Sequence, residues 1–179
     1  MLGIVIPAVE EFMELRFAKT NLARYSTRPL PEYRHLPFQN PHPFLDSDGH
    51  SHGETLSPPA VFGPDHWKDC PDYLYCIDLF NHGYWWEAHE RLKQLSLAVG
   101  RESPAGLFIQ GLIQIAAALL KHAMREEQAA AMLAEMGMAN LETDQRIYFG
   151  VDVPLLIAEV RACLAQGGGV YPRIQLAEG

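Results

Sequence analysis

Clustered positive charge is missing from this chain. Its 179 residues carry 14 Lys and Arg against 22 Asp and Glu, a formal net charge of −8, and no basic run appears anywhere. Nucleic-acid affinity is built on Lys and Arg that displace counterions from phosphates, so no nucleic acid is expected as a partner. Cysteine is scarce as well. Cys70, Cys76 and Cys163 are odd in number and form neither a CxxC pair nor a disulfide framework, which points to a reducing cytoplasm and small buried thiols. The start has no basic leader or small-residue cleavage site before Glu10 and Glu11, so a secreted protein is not expected. No internal repeat, convincing strand, glycine-rich phosphate loop or serine nucleophile elbow occurs. Charge itself is absent from Ser103 to Leu120, a length that could span a bilayer. Gly106, Gln110, Gly111 and Gln114 interrupt that stretch, and it reads as the central buried helix of a bundle, with no membrane as partner.

What is present is helical. With 48% hydrophobic residues the chain can bury one core. Residues 1–65 are expected to hold an N-terminal helix at about 8–23, with Pro7 at its first turn, and then a long irregular arm. From Arg28 to Pro64 lie most of the prolines and four of the eight histidines, and no period survives more than a few positions. Tyr33, Leu36, Phe38, Phe44, Leu45 and Phe62 argue that the arm lies against the body. Residues 66–179 form the bundle domain. Its helices are expected at Asp72–Phe80, Tyr84–Val99, Ser103 to about Met124, Glu126–Leu141 and Asp152–Ala165, with Gly167-Gly168-Gly169 closing the last. The fold class is all-α, a bundle of about five helices with an N-terminal arm.

The candidate chemistry sits in Phe80 to Glu90, FNHGYWWEAHE. At 100° per residue Tyr84, Trp85, Ala88, Leu92, Leu95 and Val99 make a core stripe, and Trp86, Glu90, Lys93 and Leu97 fall on the far side. If both sides are covered, Glu90 is partly buried and needs a hydrogen bond, a counter-ion or a metal. Gln110 and Gln114 share a face of the next helix and need partners too, so a Glu90 to Gln114 contact is expected. Glu87, His89 and Glu90 are the candidate catalytic groups. Trp86 and Tyr84 are either packing anchors or walls of a small-molecule pocket between the arm and the second helix, and Gln110 and Gln114 are the other candidate binding residues.

These blocks, Phe80 to Glu90, then Gln110-Gly111-Leu112-Ile113-Gln114, then Gly150-Val151-Asp152-Val153, resemble an uncharacterised prokaryotic helical family known as domain of unknown function 309. The resemblance covers about Trp67 to Leu176. The arm, with Arg28-Pro29, Tyr33-Arg34, Pro41-His42-Pro43 and the segment Gly49 to Gly53, resembles extensions carried by some members. It implies a compact helical bundle and no established activity. Lys93, Gln94 and Ser96 depart from the acidic residues and tryptophan that members tend to carry there, and His122 stands about one position late.

Two mechanisms follow from the residue types. His50 and His52 would share one side of an extended strand and could hold a divalent metal such as zinc, with His42, His89 or Glu90 completing the shell. The preferred reading of GHSHG is nevertheless a polar turn with imidazoles bonded to backbone or water. His89 is two residues after Glu87, so the Glu-x-x-His pattern of di-metal bundles is absent. The preferred reading is a ligand-binding or interaction module with a mainly structural polar cluster. A metal-dependent hydrolase using His50, His52, His89 and Glu90 is the alternative, and self-association through the first helix, giving a homo-oligomer, is the third.

Overall fold

Ser103-Pro104 puts a hydroxyl acceptor ahead of a residue whose φ is already helical, and a helix starts there. In the computed structural model, which describes residues 22–165 and 170–177, Ser103 Oγ accepts the Gly106 amide at 2.9 Å. Among the described residues five α-helices pack together: α1 (Pro71–Asn81), α2 (Trp85–Val99), α3 (Pro104–Ala123), α4 (Glu127–Leu141) and α5 (Val153–Ala165). The expected all-α bundle is the observed architecture. Asp152 caps α5 by accepting the Leu155 amide at 3.2 Å. The helix expected over 8–23 lies outside the described residues apart from positions 22 and 23, which are not helical. Gly167, Gly168 and Gly169 also lie outside them.

The uncharged stretch becomes α3, packed between α2 and α4. It is long and apolar enough to cross a membrane by length and composition, and 61% of its apolar window is buried inside the protein. Close approach to α4 depends on two glycines. A Cβ at Gly111 would stand 2.9 Å from the Gly137 carbonyl oxygen, and one at Gly137 would stand 2.8 Å from Ile115. Side chains there would force the two helices apart.

The expectation of no strands needs correction. Ile147–Tyr148 (β1) and Val151–Asp152 (β2) pair antiparallel, with Tyr148 opposite Val151. Phe149 and Gly150 between them have φ of 50° and 76°. Positive φ at both positions is what the two-residue type I′ hairpin turn requires, and Asn-Gly or Asp-Gly is its usual sequence signal. Phenylalanine gives no such signal. Its backbone is held by tertiary contacts: the ring stacks on Phe108 with centroids 5.5 Å apart, and Tyr73 donates its hydroxyl to the Phe149 carbonyl at 2.8 Å.

The proline-bearing arm has no helical or sheet ladder to satisfy its backbone, so side chains of the bundle do it instead. Asp78, buried in α1, accepts the amides of Tyr25 and Ser26 at 2.8 and 2.9 Å and the Ser26 hydroxyl at 2.6 Å. Arg24 adds an ion pair at 3.3 Å. Tyr75 and Tyr84 donate hydroxyls to the carbonyls of Pro29 and Pro31 at 2.9 and 3.0 Å. The C-terminal segment is held in the same way. Asn81 donates to the Ile174 carbonyl at 2.8 Å and accepts the Ile174 amide at 2.7 Å. Leu36 is the arm's buried anchor, whereas Phe38 and Leu45, expected against the body, are exposed. Phe38 stands in the turn closed by the Gln39 amide on the Leu36 carbonyl at 3.0 Å, with φ of 67°.

Candidate functional site

Two sides of α2 carry different chemistry because its polar residues leave the helix at different angles. Glu87 and Arg91 are one turn apart and share an edge, and the arm crosses that edge. Glu87 is 4% exposed. Its Oε1 accepts the His35 amide at 2.7 Å and lies 3.1 Å from His50 Nε2. His50 is oriented in turn by Ser51, whose Oγ lies 3.0 Å from Nδ1. Oε2 of Glu87 is buried without a hydrogen-bond partner. Further along, Arg91 and Arg28 both reach Glu54 at 2.8 to 2.9 Å. Burial works to raise the Glu54 carboxyl, and the two guanidiniums outweigh it and lower it.

The aromatic residues at the start of α2 serve this same seam. Trp86 meets His35, His42 and Phe44 at centroid distances of 4.6, 5.1 and 5.9 Å. Tyr84 carries the Arg34 guanidinium 4.7 Å above its ring. His35 is held low, first by burial, while its hydrogen bond to Asn40 opposes the shift. Both aromatic positions are thus occupied by the chain's own arm.

Glu90 is on the other edge, and its environment differs from the expected one. It lies about 200° round the helix from Ala88 in the core stripe, so it cannot reach across that stripe. Its side chain is 23% exposed, and it bonds to Lys93 at 2.9 Å and lies 3.1 Å from His89 Nδ1. The His89 hydrogen bond and Lys93, working against partial burial, hold its carboxyl down at about 2. The expected Glu90 to Gln114 contact is not formed. Gln114 instead accepts from Asn140 of α4 at 2.8 Å, because it projects from the side of α3 where Gly111 and Gly137 bring α4 close.

A shared metal on His50 and His52 required extended backbone, and the segment is instead the turn preferred from its sequence. Residues 49–54 are a turn, with the His52 amide on the Gly49 carbonyl and the Glu54 amide on the Ser51 carbonyl, both at 2.9 Å. In a turn the alternation of side chains is lost. His50 goes inward to Glu87, and His52 is exposed. Among the described residues no group of three or more His, Cys, Asp and Glu is disposed to hold a metal ion. The four groups named for a hydrolase are divided: His50 lies with Glu87, His52 is exposed, and His89 lies with Glu90.

Between α2 and α3 runs a groove of about 260 Å³ lined by His89, Lys93, Ser96, Arg101, Gln110 and Ile113. Ser96 is 2% exposed, and its hydroxyl has no hydrogen-bond partner. Gln110 is half-buried, and Arg101 forms no ion pair with any described residue.

Residues 73–133 match the family model of a domain of unknown function, DUF309. No curated protein matches the chain. The DUF309 segment takes in nearly all of α1, then α2, α3 and the first half of α4. It covers about a third of the chain, and it holds Asp78, Asn81, Glu87 and every residue of the α2–α3 groove. The partners that Asp78, Asn81 and Glu87 bind, in the arm and at Ile174, all fall outside it.

Sequence reasoning singled out Glu87, His89 and Gln110 and missed Asp78, Asn81, Ser96, Arg101, His35 and Glu54. A signal existed for Asp78, an acidic residue inside the apolar run from Tyr73 to Phe80, since a buried carboxylate must find donors. Arg101 and Glu54 carried none, because each is an ordinary charged residue in a loop.

Proposed function

We propose that the protein is a binding module for a small molecule seated in the α2–α3 groove, and that the Glu87 cluster serves the fold by fastening the arm. The Ser96 hydroxyl carries this reading. A polar group buried without a partner costs about 1–3 kcal/mol, a cost that a ligand would remove by hydrogen-bonding the hydroxyl once the Ser96 side chain turns toward the groove. His89 and Gln110 stand on the same groove, whose volume is slightly below the range of about 300–1,000 Å³ usual for drug-sized ligands. The larger cleft of about 380 Å³ beside Leu107, Phe108 and Tyr148 offers no buried polar group in need of a partner. Glu87 also keeps an unpartnered oxygen, Oε2, but it lies beneath the arm, where His35 and His50 bind Oε1.

The reading is tested by a small-fragment screen on the full chain, following backbone amide resonances. Binders are expected to move Ser96, Gln110 and Ile113. Ser96→Ala is expected to raise the melting temperature of the free protein, because it removes an unsatisfied hydroxyl, and to weaken those binders about tenfold. Perturbations that map elsewhere, or a Ser96→Ala variant that binds as tightly as the parent, would overturn it.

A further inference from the structure

We infer that the ligand of the α2–α3 groove carries an oxyanion, a carboxylate or a phosphate, bound between Arg101 and Lys93, and that Glu90 is the internal anion it displaces from Lys93. This rests on the reading of the groove as the binding site.

The charge at the groove opposes that of the chain as a whole. Lys93 and Arg101 are the charged residues that line it, and Glu90 is the carboxylate paired beside them, in a protein of net charge −8. With 22 acidic residues in the sequence, Arg101 still makes no ion pair with any described residue. A guanidinium presents a planar fork of donors that matches the two oxygens of a carboxylate or phosphate. Deeper in the groove stand the Ser96 hydroxyl and the Gln110 amide, both able to donate to an anion's remaining oxygens.

Arg101 is also set in place before any ligand arrives. It follows Gly100, whose φ is 82°, a conformation that favours glycine. Its own carbonyl is pressed against α3. A Cβ on Gly106 would come within 2.0 Å of the Gly100 carbonyl oxygen and 2.8 Å of the Arg101 carbonyl group. Ser103 Oγ ties this turn together, donating to the carbonyls of Val99 or Gly100 at 2.8 and 2.7 Å and accepting the Gly106 amide. A rigid backbone under the binding side chain lowers the ordering cost of association.

Lys93 is occupied when the groove is empty. Its ammonium bonds to both Glu90 oxygens at 3.1 and 2.9 Å, and His89 Nδ1 lies 3.1 Å from one of them. Glu90 therefore competes with the ligand, and neutralising it frees the ammonium.

The test is calorimetric titration of the full chain at low ionic strength, paired with amide resonances as the readout of location. The probes are inorganic phosphate, malonate, ethylenediamine as a cation and glycerol as a neutral control. Phosphate or malonate is expected to bind with a Kd below about 1 mM and to move Ser96 and Gln110. Whichever of the two binds more tightly distinguishes the two sources of the charge. Arg101→Gln, a change at an exposed position, is expected to weaken binding at least tenfold, and Glu90→Gln to strengthen it several-fold. The inference is overturned if neither anion saturates the groove, or if Arg101→Gln binds as tightly as the parent. If glycerol or ethylenediamine fills the groove where both anions fail, the anion assignment falls and the groove remains a binding site. If no probe moves Ser96 or Gln110, both fall together.

Discussion

Of the two carboxylates in the EAHE block, Glu87 is expected to carry stability and Glu90 very little. In Glu87→Ala the buried His35 amide and the His50 imidazole lose an acceptor that now lies 2.7 and 3.1 Å away. Each stranded donor costs about 1–3 kcal/mol, and loosening of the arm lets water recover part of it, so a loss of about 3 kcal/mol is expected. For a chain of this length that lowers the melting temperature by about 6–12 °C. Glu90 is partly exposed and paired with a lysine three residues along, and exposed pairs of this kind are worth at most about 1 kcal/mol. Glu90→Ala should therefore cost no more than about 4 °C. Differential scanning calorimetry on both variants measures the contrast. Hydrogen exchange at the His35 amide, expected to accelerate in Glu87→Ala alone, locates it. Glu87→Gln keeps an acceptor and should recover part of the loss. Were Glu87 a catalytic group held at the expense of stability, its removal would leave the protein unchanged or more stable. That outcome, or equal losses in the two variants, would refute the clasp.

Asn81→Ala strands both the amide and the carbonyl of Ile174, and limited proteolysis is expected to cut the C-terminal segment first, with a loss of about 2–4 kcal/mol by urea denaturation. The Glu90 carboxyl sits at about 2, below its ordinary 4.5. The stability it adds is held to about 1 kcal/mol, because Lys93 and His89 are open to solvent and screened. It is complete above about 4.5 and disappears as pH falls through about 2, so urea midpoints over that interval should fall slightly less steeply in Glu90→Gln than in the parent. Cys76 is fully enclosed and burial pushes its thiol up; with Cys70 and Cys163 also buried, a thiol reagent should label none of the three until the protein unfolds. Gly106→Ala drives a methyl into the Gly100 carbonyl at 2.0 Å. Strain of about 1–3 kcal/mol outweighs a helix-propensity gain of about 1 kcal/mol, and displacement of the Arg101 turn should weaken anion binding in the calorimeter.

Helix ends were legible because their signals are local. Ser103-Pro104 and Asp152 with Pro154 hold their caps within a few residues, and the core stripe from Trp85 to Leu95 is a matter of period alone. The hairpin was not legible, since Phe149 is kept at positive φ by rings far away in the chain. Glu87 and Glu90 are two acids three residues apart in one block, and the period put Glu90 on the side away from the core stripe without saying what would cover either. Only about 60° of helix surface separates them, yet the arm covers Glu87 and stops short of Glu90, which lies beside Lys93, and no periodicity reveals which edge a non-helical arm will cross.

Composition, period and turn residues by themselves determined that this chain is an all-α bundle with a central apolar helix, because each depends on neighbours within about a turn. Only the tertiary structure decided that His50 meets Glu87 across 37 positions, that Gln114 meets Asn140 instead of Glu90, and that Ser96 and Arg101 come to line one groove. Those pairings depend on how an irregular segment and two helices come to rest on one another, which is settled by long-range contacts whose partners carry no mark in sequence.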